Sequence, residues 1–304
     1  MKIGILYERR PNEKRVAASV ESIKKLTQLG FDVCIEKSAG QRAGISDQDF
    51  QTAGATIAQT PQETCEGRDL IIKIQRPMDL NEGHDELSIL PKNSFLLCHM
   101  DAKKHKEFVR ELSARGIHAF ALEMMPRITR AQSMDILSSQ ANIAGYKAVL
   151  DALEHYGRAM PMMMTPAGTV PPARVFIMGV GVAGLQAIAT ARRLGAIVSA
   201  SDVRPATKEQ VESLGAKFIA VEDEEFLQAQ TSAGYAKEMS QGYQKKQAEL
   251  IAKTVSNQDI IITTALIPGK PAPRLISSKM IETMKEGSVL IDMAVEAGGN
   301  IEGA

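Results

Sequence analysis

Short apolar runs bounded by turn residues alternate with amphipathic stretches along nearly the whole chain, and this alternation leaves few architectures open. In the first half the runs are Ile3–Leu6, Val33–Ile35, Leu70–Ile74, Phe95–Cys98 and Ile117–Phe120. Helical spacing at Val16, Ile23, Leu26 and Leu29 stops at Gly30, and Lys103–Arg115 is helical between the last two runs. Strands joined through helices pair in parallel, so the pattern predicts an α/β fold with a mainly parallel sheet covered on both faces. From Arg174 the alternation restarts, with runs at Val175–Met178, Ile197–Ser201, Phe218–Val221, Ile260–Thr263 and Val289–Met293. These are five strands of a familiar six-stranded arrangement, and 304 residues give room for two domains of roughly 150 each.

Between the halves, Ile136, Ile143, Tyr146, Leu150 and Leu153 keep helical spacing within Ser133–Gly157 and no proline interrupts them, which predicts a long connecting helix. The next stretch, MPMMMTPAGTVPPAR, has four prolines and no period, and reads as a boundary loop. Its methionines either pack against the neighbouring domain, since thioethers fill irregular gaps, or mark a metal site; packing is the simpler reading. The expected domains are therefore 1–130, a connecting helix and loop over 131–165, and 166–304. Within the last, Glu222–Ser256 has an acidic start, a Gly234-Tyr235 centre and a KKQAELIAK end, the pattern of a mobile excursion running into an amphipathic helix.

Composition removes several function classes. With 36 basic and 36 acidic side chains the chain has no net field to gather nucleic acid. Cys34, Cys65 and Cys98 are far apart and form no CxxC pair, so neither a disulfide framework nor a zinc site is implied. His84, His99, His105, His118 and His155 lack metal-binding spacing, and no metal is expected. The longest apolar candidate for a membrane span, Val175–Ala191, falls short of about 20 residues and contains three glycines. The N-terminus becomes charged at Glu8, before the apolar core of a secretion signal is complete, so the chain is expected to remain in the cytoplasm.

The clearest chemical signal lies between the run at Val175–Met178 and a helix containing Leu185, Ile188 and Leu194. There, Gly179, Val180, Gly181, Val182, Ala183 and Gly184 form a GxGxxG turn. In this context the first glycine allows the tight turn, the second lets backbone approach a pyrophosphate, and the third lets helix and strand pack closely, with the helix N-terminus aimed at negative charge. Asp202, followed by Val203 and Arg204, ends the next strand about 20 residues on, where a carboxylate accepts both hydroxyls of an adenosine ribose. The carboxylate favours NAD over NADP, although Arg204 is the type of residue that takes a 2′-phosphate. The alternative is that the glycines serve packing alone. Thr264, Ala265 and Leu266, after the fourth strand, either admit the cofactor at the sheet's carboxyl edge or make a plain turn. Arg127, Gln132 and Asp135 lie together before the connecting helix, as surface and capping charges or as groups meeting the nicotinamide. His99, ending an apolar strand, is either structural or placed to reach a cleft.

The segments MKIGILYERRPNEKRVAAS, PRITRAQSMDILSSQANIAGYKAV, MMMTPAGTVPPARVFIMGVGVAGLQAIATARRLGA, SDVRPATKEQVESLGAKF, TTALIPGKPAP and DMAVEAGGN closely resemble the NAD(H)-binding component, alpha subunit domain I, of proton-translocating NAD(P) transhydrogenase. The resemblance covers nearly the whole chain. It implies two Rossmann-like doubly wound domains joined by a long helix and enclosing a cleft, in a homodimer. It further implies Re/Si-specific hydride transfer from NADH to NADP held on a partner domain, coupled to proton translocation by a membrane partner. The protein is then peripheral on the cytoplasmic face of the membrane and active only with its partners. By position, Arg127, Gln132 and Asp135 orient the nicotinamide and its ribose, Ser138 serves the carboxamide, and Tyr235 closes over the nucleotide. Gly179 to Gly184, Asp202 and its neighbours Val203 and Arg204, and the Thr264–Leu266 turn hold the rest of the cofactor. The family continues beyond DMAVEAGGN with a further strand and a return segment, whereas this sequence stops at IEGA, so the second domain is expected to be incomplete at its C-terminus, with an exposed sheet edge.

Two other readings compete. Alanine dehydrogenase is related, and Arg15 and His99 fall where its substrate arginine and catalytic histidine lie, but Gln75 stands in place of its substrate lysine and Glu296 in place of an aspartate. Without the lysine a keto-acid carbonyl loses its main polarising group. The third reading is a non-catalytic NAD-binding module.

Overall fold

In a computed structural model describing residues 1–126, 128–228, 239–267 and 270–304, each apolar run named above overlaps a strand. Two units are separated by their contacts, Met1–Ile136 and Leu137–Ala304. In the first, β1 (Lys2–Ile5), β2 (Asp32–Glu36), β3 (Thr56–Ala58), β4 (Leu70–Gln75), β5 (Phe95–His99) and β6 (His118–Ala121) form one sheet in the order β3-β2-β1-β4-β5-β6. Every pair is parallel, with Ile3 opposite both Val33 and Leu70. The crossovers carry α1 (Val20–Gln28), α2 (Asp47–Thr52), α3 (Pro61–Cys65) and α4 (Lys106–Ala114). Their starts are written locally: Ser19 and Ser46 make capping boxes with Ser22 and Asp49, and Pro61 follows the Thr60 cap.

Strand alternation sends side chains to two cores. Ile3, Ile5, Val33 and Ile35 pack with Ile23 and Phe50 on one face, while Leu6, Ile71, Leu96 and Cys98 pack with Phe108 and Leu112 on the other. The edge strand β6 departs from the expected two-sided cover, since His118, Ala119 and Phe120 are exposed.

Strand order reverses between β1 and β4, the position at which open α/β sheets bind ligands beyond their carboxyl ends. Here that position is filled by ion pairs. Buried Lys73 donates to Glu86 at 2.8 Å and lies 3.6 Å from Glu8. Glu8 accepts the Ile74 N–H at 2.6 Å, Glu86 accepts that of Met78 at 2.8 Å, and Arg9 bridges Glu86 and Glu36. Burial pushes the Glu8 carboxyl up from its ordinary range, with Lys73 opposing the shift.

From the last residue of the first unit, α5 (Ile136–His155) runs on into the second, followed there by a two-stranded antiparallel ribbon, β7 (Met163–Thr165) and β8 (Gly168–Val170). The helix is shorter than predicted because Thr129–Met134 winds as a separate 3₁₀ turn and Asp135 is extended. Its buried stripe is Gly145, Ala148, Val149 and Ala152, whereas Ile143 and Tyr146, expected on the apolar face, are exposed. The expected boundary loop contains the ribbon, and its methionines divide: Met160 is buried in a core of this unit, whereas Met162, Met163 and Met164 are 58, 50 and 73% exposed. Then come β9 (Arg174–Met178), α6 (Val182–Arg193), β10 (Ile197–Ser201), α7 (Thr207–Ser213), β11 (Lys217–Phe218), α8 (Glu224–Leu227), α9 (Gln241–Val255), β12 (Ile260–Thr263), α10 (Ser278–Ile281) and β13 (Val289–Asp292). The five strands pair in parallel in the order β11-β10-β9-β12-β13. Val175, Ile177, Ile260 and Ile262 meet one core; Phe176, Met178 and Ile261 meet the other. Among the described residues, no helix is long and apolar enough to cross a membrane.

Lys73→Met leaves Glu8 and Glu86 buried against each other and is expected to cost about 3–5 kcal/mol. Lys147→Met, which removes an exposed pair with Asp151, is expected to cost about 0.3–0.5 kcal/mol. Urea unfolding of the two variants checks this, and equal midpoints would refute the buried cluster's role.

Candidate functional site

In the second sheet the strand order reverses between β9 and β12, where the glycine turn after β9 meets the turn after β12. Gly179 has φ of +97°, a conformation favouring glycine, and a Cβ on it would lie 2.8 Å from the Thr264 hydroxyl and 2.9 Å from the Ala265 nitrogen. A Cβ on Gly184 would run into the Gly179 carbonyl, so this glycine lets α6 start directly against the turn. A third close approach was not among the residues singled out from sequence: Gly145, in α5, lies against the backbone of Ala183, again with no room for a Cβ. Gly181 differs. It caps α6 with no side-chain hydrogen bond, its φ is −85°, and a Cβ there would meet nothing within 4 Å. The N-terminus of a twelve-residue helix thus faces open space over a residue without a side chain, a cradle that fits a pyrophosphate.

Asp202 ends β10 beside this turn and is 9% exposed. Its Oδ2 accepts the Val180 N–H at 2.7 Å, which ties the carboxylate to the glycine loop. Arg204 folds back on it: the backbone N–H and Nε donate to Oδ1, both at 2.9 Å, and Nη2 donates to Oδ2 at 2.8 Å. Val182 and Val203 are exposed beside these groups.

On the other side of the reversal, the Thr264 hydroxyl donates to the Gly179 carbonyl at 2.9 Å and joins the loops after β9 and β12. Ala265 is held by Asn300, which is fully buried although 35 residues away. Its Oδ1 accepts the Ala265 N–H at 3.0 Å, and its Nδ2 donates to the carbonyls of Ala265 at 2.9 Å and Pro273 at 2.8 Å. Asn300 is held in turn by Asp292, whose Oδ2 accepts its N–H at 2.7 Å. Asn300 stood in the quoted DMAVEAGGN motif without a role, and its only sequence signal is a polar residue after paired glycines. The exposed Leu266 follows this clamp. Glycine turn, Asp202 with Arg204, and Thr264–Leu266 are therefore brought together in one unit.

Gln132 is exposed in the Thr129–Met134 turn, its carbonyl accepting the Asp135 N–H at 3.2 Å; both belong to the first unit, while Ser138 lies in the first turn of α5 in the second. Arg127 and Tyr235 lie outside the described residues.

At the carboxyl ends of β4 and β5, the His99 Nδ1 lies 3.4 Å from Gln75 Oε1, Gln75 Nε2 donates to Glu13 at 3.2 Å, and Arg15 pairs with Glu13 at 2.6 Å. Burial works against ionisation of Glu13, but the hydrogen bonds from Arg15 and Gln75 outweigh it and bring the carboxyl down to about 2. The arginine is thus already neutralised by its own neighbour. Glu296 is exposed on a short turn after β13. Among the described residues, no cluster of three or more His, Cys, Asp and Glu side chains is set to hold a metal ion.

Residues 4–144 match the family described as alanine dehydrogenase/PNT, N-terminal domain, and residues 148–304 match alanine dehydrogenase/PNT, C-terminal domain. An NAD(P) transhydrogenase alpha-subunit protein of Rhodospirillum rubrum is 59% identical over 300 residues, covering 99% of this chain and 78% of that protein. The crystal structure of transhydrogenase from Sinorhizobium meliloti superposes with a TM-score of 0.90 at 54% identity, over 100% of this chain and 81% of its own. An L-alanine dehydrogenase structure gives a TM-score of 0.81 at 27% identity, over 100% and 76%.

The close approaches make a stability prediction. Gly184→Ala forces a methyl against the Gly179 carbonyl and is expected to cost about 1–3 kcal/mol. Gly181→Ala points into open space and is expected to stay within about 1 kcal/mol of the parent. Thermal unfolding measured side by side checks the contrast; the reverse order of melting temperatures would overturn the assignment of the two glycines.

Proposed function

The chain belongs to the alanine dehydrogenase/PNT family, and from that membership we propose that it is the NAD(H)-binding component of a proton-translocating NAD(P) transhydrogenase. The observation that carries the reading is the open cradle at Gly181 on the N-terminus of α6, flanked by the Asp202 carboxylate and the braced Thr264–Ala265 turn. It is supported by the 59% identity to a transhydrogenase alpha-subunit protein over almost the whole chain.

In this reading the pyrophosphate of NAD(H) lies over Gly181, with the first-turn amides of Val182, Ala183 and Gly184 directed at it, and the adenosine ribose lies on Asp202. Thr264, Ala265, Leu266 and the exposed Val203 border the cofactor, and the Val180 N–H holds Asp202 in its place beside the turn. Arg127, Gln132, Asp135 and Ser138 orient the nicotinamide end, and Tyr235 closes over it. When bound, the reduced nicotinamide supplies the hydride. NADH becomes NAD⁺ as NADP⁺ on the partner domain becomes NADPH, and no proton moves at the reacting carbons. The protein's work is alignment of the two rings and exclusion of water, which needs no acid, base or nucleophile.

The partners are an NADP-binding domain and a proton-translocating membrane domain, and through them the chain sits peripherally on the cytoplasmic face. A second copy of the chain completes a homodimer. An isolated two-stranded ribbon is marginal in water, and the exposed Met163, Met164 and Val170 on β7 and β8 are the apolar surface a second copy covers. Alanine dehydrogenase activity is disfavoured by Gln75, whose neutral amide meets His99 where that enzyme has a lysine.

The test mixes the chain with a purified NADP-binding partner and follows hydride transfer from NADH to an NADP analogue. Transfer that saturates with partner is expected; NADH binding without transfer at any partner concentration would establish the non-catalytic module instead. Asp135→Asn and Gln132→Asn are expected to slow transfer by about 10–100-fold, through misplacement of the reacting ring, while NADH affinity stays nearly intact. A large affinity loss with unchanged turnover in the bound complex would contradict the orienting role.

A further inference from the structure

A carboxylate offers about four lone-pair sites to donors, and in Asp202 each is used. The Val180 N–H and the Arg204 Nη2 reach Oδ2 at 2.7 and 2.8 Å, and the Arg204 backbone N–H and Nε reach Oδ1 at 2.9 Å each. A ribose diol that hydrogen-bonds this carboxylate must therefore displace two donors. The backbone donors are fixed. Val180 belongs to the glycine turn, and the Arg204 carbonyl is held by the buried Thr207, whose hydroxyl donates to it at 2.7 Å and whose N–H donates at 3.1 Å. The guanidinium is the group that can leave. It lies on the solvent side of the pair, with 31% of its side chain exposed against 6% for Asp202, and its Nη2 also donates to the Val180 carbonyl at 3.0 Å.

We propose that Arg204 determines nucleotide specificity as a latch on Asp202, swinging off the carboxylate to admit an adenosine ribose and, while paired with it, offering no uncompensated cation to a 2′-phosphate. This rests on the dinucleotide reading of the site and deepens it. The pair cancels its own charge at the rim of the ribose position. Arginine's fork suits phosphate as well as carboxylate, so the guanidinium becomes a phosphate ligand once its own carboxylate is gone. A latent NADP(H) site is thus held shut by one carboxylate.

Binding of NADH and of NADPH to the full chain, followed by nicotinamide fluorescence at low and high salt, tests the latch. The variants are Arg204→Met, Asp202→Asn and the double variant, each with its thermal unfolding recorded. Arg204→Met is expected to bind NADH about threefold tighter than the parent, the scale of one partly exposed ion pair no longer broken on binding. Asp202→Asn keeps an oxygen for the Val180 N–H and is expected to gain about tenfold for NADPH. That gain is expected to weaken with salt and to vanish in the double variant. Unchanged or weaker NADH binding by Arg204→Met overturns the latch, as does a NADPH gain that survives in the double variant or never appears in Asp202→Asn. Should Asp202→Asn fail to fold, the Arg204→Met titration decides alone. A parent chain that binds neither nucleotide overturns the functional reading and the latch together, whereas a parent that binds NADH while the variants fail overturns the latch only.

Discussion

Three places in the second unit bring backbone against backbone where a single added carbon would not fit, and the rest of the proposed site depends on them. Gly184 sets the start of α6 against the Gly179 carbonyl, Gly179 turns beneath Thr264, and Gly145 brings α5 down onto Ala183. These contacts fix the first turn of α6 at the end of β9, and with it the direction of the amides that meet an anion. Gly181, in the middle of the same motif, is the one position of the four where a Cβ would find open space. Packing explains the other three glycines and does not explain Gly181, which sits at the N-cap of α6 with its Cβ position open. That residue carries the functional argument.

The two sheets reverse their strand order at equivalent points but fill them differently. In the first, the carboxyl ends of β1 and β4 carry Glu8, Arg9 and Lys73, which with Glu86 and Glu36 form a buried ionic cluster. Ions taken out of water are costly unless each finds partners, and these do. The result is a buried ionic cluster at the reversal. In the second sheet the same position is lined by backbone and by Asp202, and it is braced from the far end of the chain through Asn300 and Ala265. Similar topology thus carries a buried ionic cluster in one unit and a glycine turn beside Asp202 in the other.

Where the signal was local and repeated, it was legible in the sequence. The strands β9, β10 and β12 are buried apolar runs whose neighbours are helices, and the glycine turn and Asp202 follow from their spacing after β9. β3 escaped because three residues beginning with Thr56 carry no run. The ribbon escaped because Pro161, Pro166, Pro171 and Pro172 read as breakers, although they flank or separate its strands without interrupting either. In α5 the helical period was visible but the buried face was not. Hydropathy weights Ile143 and Tyr146, whereas Gly145 is selected by its close approach to Ala183, and Ala148, Val149 and Ala152 are the residues buried in the core. Asn300 is invisible to any local pattern, since its partners Ala265 and Pro273 are 35 and 27 residues distant.

The most direct test of the account is a crystal structure of the chain with NADH bound. The prediction is a pyrophosphate seated over Gly181 at the N-terminus of α6, with the adenosine ribose on Asp202 and the reactive nicotinamide carbon open to a visiting protein. A nucleotide bound at another place, or a nicotinamide carbon enclosed by this chain, would contradict it.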